Sequence, residues 1–349
     1  MKHPENIIGK ELTVCDAMRL IDRSELRILF VAEEGKLIGT LTDGDIRRYL
    51  YRGGKIEDPA ERAANHEPRT ARSRSQAAAL YDSLSYIAIP VVGENGELRE
   101  IYTGEDTENT AQNRSFPQLD VPVVINAGGK GTRLDPFTRV LPKPLIPVGD
   151  LPIIEHIMQQ FLKYGCGAFH IIVNYKKELI KTYFRETDYR YEVSWVDEEK
   201  PLGTGGGLSL MKGKVNGTFF FSNCDTLLLS DYDSILRFHR ENGNAITMIC
   251  AWKNFRIPYG VVEMGLEGSI EKLREKPELS FLTNTGMYII EPEIIDDVPA
   301  DTPVTLPEII QMEMQKGRRV AVFPVGESEW LDMGQLSELE KMRERLYGK

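Results

Sequence analysis

Asn126-Ala-Gly-Gly-Lys-Gly-Thr-Arg-Leu134 follows directly on the apolar run Val121-Pro-Val-Val-Ile125. A short apolar run bounded by glycine reads as a buried strand. A glycine-rich turn after such a strand lets backbone N–H groups come close to phosphate oxygens. It is not a Walker A loop, because Gly-x-x-x-x-Gly-Lys-Ser/Thr is absent. Nor is it the dinucleotide fingerprint, since Arg133-Leu134 follow Gly129-x-Gly131 where a third glycine is needed. The distinctive feature is Gly-x-Gly-Thr-Arg133 with Pro142-Lys143-Pro144 downstream. A rigid guanidinium fork and an ammonium point charge are thereby set to converge on one anionic site. An amphipathic helix is expected next, over about 152–164, completing a strand–turn–helix unit of an α/β fold.

Outward from this motif, the chain has 349 residues, enough for about two domains. The boundary reads from the polar stretch 103–118, with a linker expected at 111–119, one domain over 1–110 and another over 120–349. Apolar residues make up 41% and charged residues 28%, an ordinary soluble balance. With 43 Lys and Arg against 53 Asp and Glu, the net charge is −10, which argues against a nucleic acid or anionic membrane partner. No apolar run approaches the roughly 20 residues of a membrane span. The opening residues, Met1-Lys-His-Pro-Glu-Asn6, lack the apolar segment of a secretory signal. Cys15, Cys166, Cys224 and Cys250 lie far apart, which speaks against a zinc site or disulfide framework and fits a cytoplasmic protein.

The first domain carries an internal repeat. Residues 32–45 align without gaps on 93–106, with Glu33/Glu94, Gly35/Gly96, Leu37/Leu98, Thr42/Thr103 and Asp45/Asp106 matching. Each copy reads as helix (15–21 and 75–84), strand, glycine turn, strand, then Thr-x-x-Asp. That is a self-contained α+β module. It resembles a pair of CBS domains, a family whose clefts often bind adenine nucleotides. The resemblance implies that Thr42, Asp45, Thr103 and Asp106 hold phosphate and ribose. The same residues are favoured helix caps, so a purely structural or oligomerising pair is the alternative, and a homo-oligomer is expected.

The second domain resembles the sugar-phosphate nucleotidyltransferases, with further motifs in order. These are Pro201-Leu-Gly-Thr-Gly-Gly-Gly-Leu208, Phe219-Phe-Phe-Ser-Asn-Cys-Asp225, Pro258-Tyr-Gly-Val-Val262, Arg274-Glu-Lys-Pro277, Asn284-Thr-Gly-Met-Tyr288 and Trp330-Leu-Asp-Met-Gly334. The resemblance implies a Rossmann-like fold with a mixed central sheet. It also implies transfer of a nucleotidyl group from an NTP to a sugar 1-phosphate, releasing pyrophosphate. Such chemistry is positioning plus electrostatics and needs no side-chain nucleophile. By the same resemblance, Ala127, Gly128, Gly129, Gly131, Thr132, Gly203, Thr204 and Gly205 cradle the NTP, and Arg133 neutralises the leaving pyrophosphate. Lys143 sits between the phosphates. Asp225 and Asp332 share Mg²⁺, a hard cation suited to carboxylates and phosphate oxygens. Lys276 holds the sugar phosphate, and Gly260, Glu275 and Asn284 form the sugar pocket.

Several departures bear on specificity. Asn126 replaces a usual apolar residue, and Arg274 a usual acidic one. The loop at 203–207 lacks the glutamine typical of uracil- and thymine-reading members, and its Leu-Gly-Thr-x-Gly form is more like the guanylyltransferases. Together with the CBS pair, this resembles guanylyltransferases of bacterial surface-glycan synthesis, including the route to legionaminic acid. GTP with glucosamine 1-phosphate is the leading expectation, then mannose or heptose 1-phosphate. An enzyme using CTP, UTP or dTTP, a catalytically silent nucleotide sensor and an assembly scaffold are the alternatives.

Overall fold

The computed structural model describes residues 3–84, 88–103, 116–186 and 191–347. The chain divides into two compact units, Met1–Ser115 and Phe116–Lys349. The second starts slightly before the apolar run that marks its first strand. Phe116 packs edge-on against Tyr164 at 5.0 Å, and the Leu119 N–H donates to the Tyr164 carbonyl at 2.8 Å. These two apolar residues of the expected linker are therefore part of the second unit.

The sequence repeat is visible in the first unit as local two-fold symmetry. Ile28–Glu33 and Lys36–Thr42 form one antiparallel hairpin, and Ala88–Val92 and Leu98–Thr103 form the other. The helices Val14–Arg23 and Arg74–Leu84 precede them, close to the expected positions. The two turns exchange reciprocal hydrogen bonds. Leu37 N–H donates to the Gly96 carbonyl at 3.0 Å, and Leu98 N–H to the Gly35 carbonyl at 2.9 Å. These are two of the five matched pairs of positions, Gly35/Gly96 and Leu37/Leu98, and they join the halves. A shared core contains Phe30 from one copy and Val92, Leu98 and Ile101 from the other.

Thr42 and Asp45 cap the helix Asp43–Tyr51. The Thr42 hydroxyl and N–H donate to Asp45 Oδ2 at 2.6 and 2.9 Å, and Arg48 donates to Oδ1 at 2.5 Å. Both carboxylate oxygens are thus engaged within the helix's own first turns. Thr103 is buried at a strand end, and Asp106 lies outside the described residues.

The second unit is built on a seven-stranded sheet. Its strands in chain order are β1 Val123–Asn126, β2 Ala168–Val173, β3 Glu192–Asp197, β4 Phe219–Asn223, β5 Ile246–Arg256, β6 Glu278–Ile290 and β7 Val320–Val325. Their spatial order is β3-β2-β1-β4-β6-β5-β7. Only β6 runs antiparallel to its neighbours, so the sheet is mixed. Side chains alternate between two cores. Val123, Ile125 and Phe220 face the helix Ile153–Lys163, whereas Val124, Phe219 and Phe221 face the helix Leu306–Gln315. Both faces are covered, which explains why the strands read as continuous apolar runs.

The strand order reverses between β1 and β4. The chain leaves β1 towards β2 and β3 on one side, then returns to place β4 on the other. In open α/β sheets a crevice forms at such a switch point, beyond the carboxyl ends of the strands. Here those ends are Asn126 and Asn223, which are register partners. The glycine-rich turn and Asp225 emerge side by side from them.

Candidate active site

Two adjoining cavities open at the switch point, of about 510 and 360 Å³. Arg133, Thr204, Asn223 and Asp225 line both and mark where they meet. The larger is walled by the glycine-rich turn, including Gly128, Gly129, Gly131 and Thr132, with Gly203 opposite. The smaller is walled by Asn284, Tyr288, Trp330 and Asp332.

The charged centre assembles from three distant segments. Lys143 enters from a short turn held between Pro142 and Pro144 and donates to the Asp225 carboxylate, both side chains being only 12% exposed. Asp225 follows β4. The next residues, Thr226–Leu228, pair antiparallel with Trp330–Asp332, which places Thr226 opposite Asp332. The Met333 N–H then donates to the Asp225 carbonyl at 2.9 Å, so both aspartates stand at the same end of one two-stranded ladder.

The electrostatics follow from this crowding. Burial pushes the Asp332 carboxyl up, and Asp225 pushes it further; Lys143 and Arg133 only partly offset them, leaving it at about 6. Burial alone would lower the Lys143 ammonium, but the Asp225 charge and hydrogen bond outweigh it, and its pKa lies above the ordinary value. Lys143 is therefore a permanent cation. Cys224, beside Asp225, is pushed up to about 12 by burial, which makes it a small apolar residue and not a nucleophile.

Two carboxylates near enough for one to raise the other suit a hard divalent cation that takes its remaining oxygens from phosphate and water. Among the described residues no cluster of three or more His, Cys, Asp or Glu offers a closed protein cage.

The glycines have distinct reasons. Gly131 has φ +65°, and a Cβ there would stand 2.9 Å from Thr138 Cγ2. Gly129 meets nothing within 4 Å and leaves an open surface. Ala127 is buried behind the turn, its N–H donating to the Ile172 carbonyl at 2.8 Å. Gly205 is also buried. Its N–H and that of Gly206 donate to the Val304 carbonyl, at 2.9 and 3.0 Å, and a Cβ on Gly205 would lie 2.8 Å from the Leu306 nitrogen, so this loop needs glycine for packing. Asn126 ties the two loops together, donating to the Thr204 carbonyl at 3.2 Å and accepting from Gly128 N–H at 3.4 Å.

The structure does not bring every expected residue to the cavities. Gly260, Glu275 and Lys276 cluster on an outer hairpin, Val261–Met264 with Ile270–Arg274, and line neither cavity. Asn284 does line the smaller one, oriented by donating to the Tyr288 hydroxyl at 2.6 Å.

The nucleotidyl transferase family model matches residues 122–347, the whole of this sheet and both cavities. The chain belongs to the nucleotidyl transferase family. A CBS domain model matches residues 1–52 of the chain, the first copy of the repeat. The catalytic subunit beta of mannose-1-phosphate guanylyltransferase from Xenopus tropicalis is 30% identical over 220 residues, 61% of this chain and 61% of that one. The UTP–glucose-1-phosphate uridylyltransferase of Synechocystis is 31% identical over 236 residues, 62% of this chain and 60% of that one. The chain thus spans about three fifths of the length of these curated relatives. HddC from Yersinia pseudotuberculosis shares the fold, with a TM-score of 0.52 and 22% identity over 65% of this chain and 99% of that one. No described helix is long and apolar enough to cross a membrane.

Sequence reasoning left out Glu198 and Thr305. Glu198 lines the larger cavity and Thr305 the smaller. Glu198 stands in a run of acids, Asp197-Glu198-Glu199, in which no spacing singles it out.

Proposed function

We propose that this nucleotidyltransferase joins GTP and a sugar 1-phosphate into a GDP-sugar, releasing pyrophosphate. The observation that carries the reading is the convergence of Arg133, Lys143, Asp225 and Asp332 where the two cavities meet. One cavity takes the nucleotide and the other the sugar. An oxygen of the sugar phosphate attacks the α-phosphorus of GTP, and the bond from that phosphorus to the bridging oxygen of the β-phosphate breaks. Pyrophosphate leaves with the electron pair.

The residues supply position and charge. Lys143, permanently protonated, neutralises the phosphate being attacked. Arg133, which lines both cavities, steadies the leaving pyrophosphate. Gly129 and its neighbours let the triphosphate approach the backbone. Asp225 and Asp332 would hold a divalent cation, with Mg²⁺ the expected one, which would supply further neutralisation of the phosphates. Lys276 is assigned the sugar phosphate from its hairpin, and Asn284 a sugar hydroxyl.

Glucosamine 1-phosphate is the leading sugar, followed by mannose and heptose 1-phosphate; a relative that carries mannose 1-phosphate in its name supports including it. For the N-terminal unit we read assembly or regulation. Asp45 already accepts from Thr42 and Arg48, which favours assembly over binding an adenine nucleotide at that position.

The test is pyrophosphate release with Mg²⁺, crossing five NTPs with a panel of sugar 1-phosphates, wild type beside Asp225→Asn. Release with GTP and one sugar, abolished in the variant, supports the reading. A folded wild type that is silent across the panel overturns it.

A further inference from the structure

One charged side chain in the larger cavity has no part in the phosphate chemistry. Glu198 directly follows β3 and is 4% exposed. Its backbone is fixed at both ends: the N–H donates to the Val173 carbonyl at 2.9 Å, and the carbonyl accepts from Asn174 Nδ2 at 2.6 Å. Carboxylate oxygen Oε1 accepts the Leu202 N–H at 3.2 Å. Among the described residues Oε2 has no hydrogen-bond partner, and no cation pairs with the side chain. A Cβ on Gly128 would lie 2.8 Å from Oε2, and one on Gly207 would lie 3.5 Å from Oε1. Gly128 therefore keeps the approach to Oε2 clear, while at Gly207 the contact would be an ordinary one.

Because Oε2 lines the cavity without a protein donor, a donor on a ligand held there can bond it without displacing a protein partner. Burial pushes the Glu198 carboxyl up, and only the Leu202 N–H opposes it. An ionised carboxylate accepts hydrogen bonds and donates none. It is satisfied best by two N–H donors side by side. Guanine alone among the common bases has them, N1–H beside the 2-amino group. Uracil and thymine place their one N–H between two carbonyl oxygens, which would face the carboxylate. Adenine and cytosine pair an amino group with a bare ring nitrogen.

We propose that Glu198 reads guanine, accepting from N1–H and the 2-amino group, and so selects GTP among the nucleoside triphosphates. The proposal rests on the reading of the larger cavity as the nucleotide site. It makes Glu198 a specificity residue, distinct from the residues that act on the phosphates.

Inosine triphosphate lacks only the 2-amino group, so it isolates this contact. Equilibrium binding of GTP, ITP, UTP, CTP and ATP is measured on the full chain and on Glu198→Gln. Wild type binds GTP about tenfold or more above ITP, as expected for one hydrogen bond to a charged group. In Glu198→Gln a side-chain amide donor meets the 2-amino group, and the GTP-to-ITP ratio falls to about one or below. A structural role would weaken both nucleotides alike and leave the ratio unchanged. Equal GTP and ITP binding by wild type, or a ratio that survives in the variant, overturns the proposal. Because the wild-type ratio needs no variant, misfolding of Glu198→Gln cannot shelter it. Preference for another base overturns it while leaving nucleotidyl transfer standing. Absence of binding by every nucleotide overturns both.

Discussion

Lys143 donates to the Asp225 carboxylate across 82 residues of sequence, in a site where each side chain is 12% exposed. The pair holds the centre together before any substrate arrives. Removing one partner of a buried pair costs about 3–5 kcal/mol, because the other charge is left uncompensated. Lys143→Met leaves Asp225 and Asp332 with Arg133 to offset them and without the ammonium that bonds Asp225. It should therefore destabilise the second unit by about 3 kcal/mol in denaturant unfolding. Asp225→Asn removes one of the two like charges and should cost clearly less. Both should lower pyrophosphate release about 10²–10³-fold or more. Equal stability losses in the two variants would show that the carboxylate pair does not repel as the geometry implies.

Asp332 gives the pH dependence. Its carboxyl titrates at about 6, above the ordinary value of 3.8. A raised carboxylate pKa means that the folded protein holds the proton more tightly than the unfolded chain. Stability therefore falls as pH rises from about 4 to about 6, and the cost is fully present above that window. With divalent cations chelated, Asp332→Asn should stabilise the protein at pH 8 by on the order of 2 kcal/mol. The gain should vanish near pH 4. Mg²⁺ should raise the melting temperature of wild type at pH 8 but not that of the variant. A gain independent of pH would remove the charge argument.

Much of this centre was legible in the sequence. Lys143 stands between two prolines, and Asp225 ends an apolar run, so each had a backbone setting that idle surface residues lack. Helix spans were also readable, since their apolar periodicity and caps are local; Leu306–Gln315 opens with a Thr305–Glu308 capping box. The antiparallel direction of β6 was not readable, because its inner part, residues 285–290, is buried on both faces and shows no alternation. Thr42 and Asp45 show a different limit. The Thr-x-x-Asp pattern that suits a ribose also makes a capping box, and only the coordinates show the carboxylate taken up by Thr42 and Arg48. Glu198 was not readable, because nothing in the acidic run Asp197-Glu198-Glu199 separates the one buried carboxylate from its exposed neighbours.

Two of the three glycines of the turn, Gly129 and Gly131, should respond differently to alanine. Gly131 has a left-handed backbone, and its new Cβ would lie 2.9 Å from Thr138 Cγ2 and 3.1 Å from Lys143 Cβ. Gly131→Ala should destabilise by at least about 1–2 kcal/mol and also disturb Lys143. Gly129 has open space around it, so Gly129→Ala should stay within about 0.5 kcal/mol of wild type. Its methyl group would instead stand where the triphosphate approaches, raising the KM for GTP about tenfold, or about 1.4 kcal/mol. A Gly129→Ala enzyme with unchanged KM would move the triphosphate away from this turn.

Lys276 tests whether the outer hairpin belongs to the site at all. It is exposed and lines neither cavity, yet its φ is +46°, a conformation that a side chain disfavours. Lys276→Gly keeps that backbone and removes only the ammonium. On stability alone the change should be neutral or gain up to about 1 kcal/mol. If the ammonium takes up the phosphate of the sugar 1-phosphate, the variant should raise the KM for that substrate and leave the KM for GTP unchanged. Lys276→Arg, which keeps the charge, should recover part of the loss. Glu275 and Gly260 share the hairpin, so their assignment to the sugar stands or falls with this result. A Lys276→Gly enzyme with wild-type kinetics would confine the sugar site to the cavity bounded by Asn284, Tyr288 and Trp330.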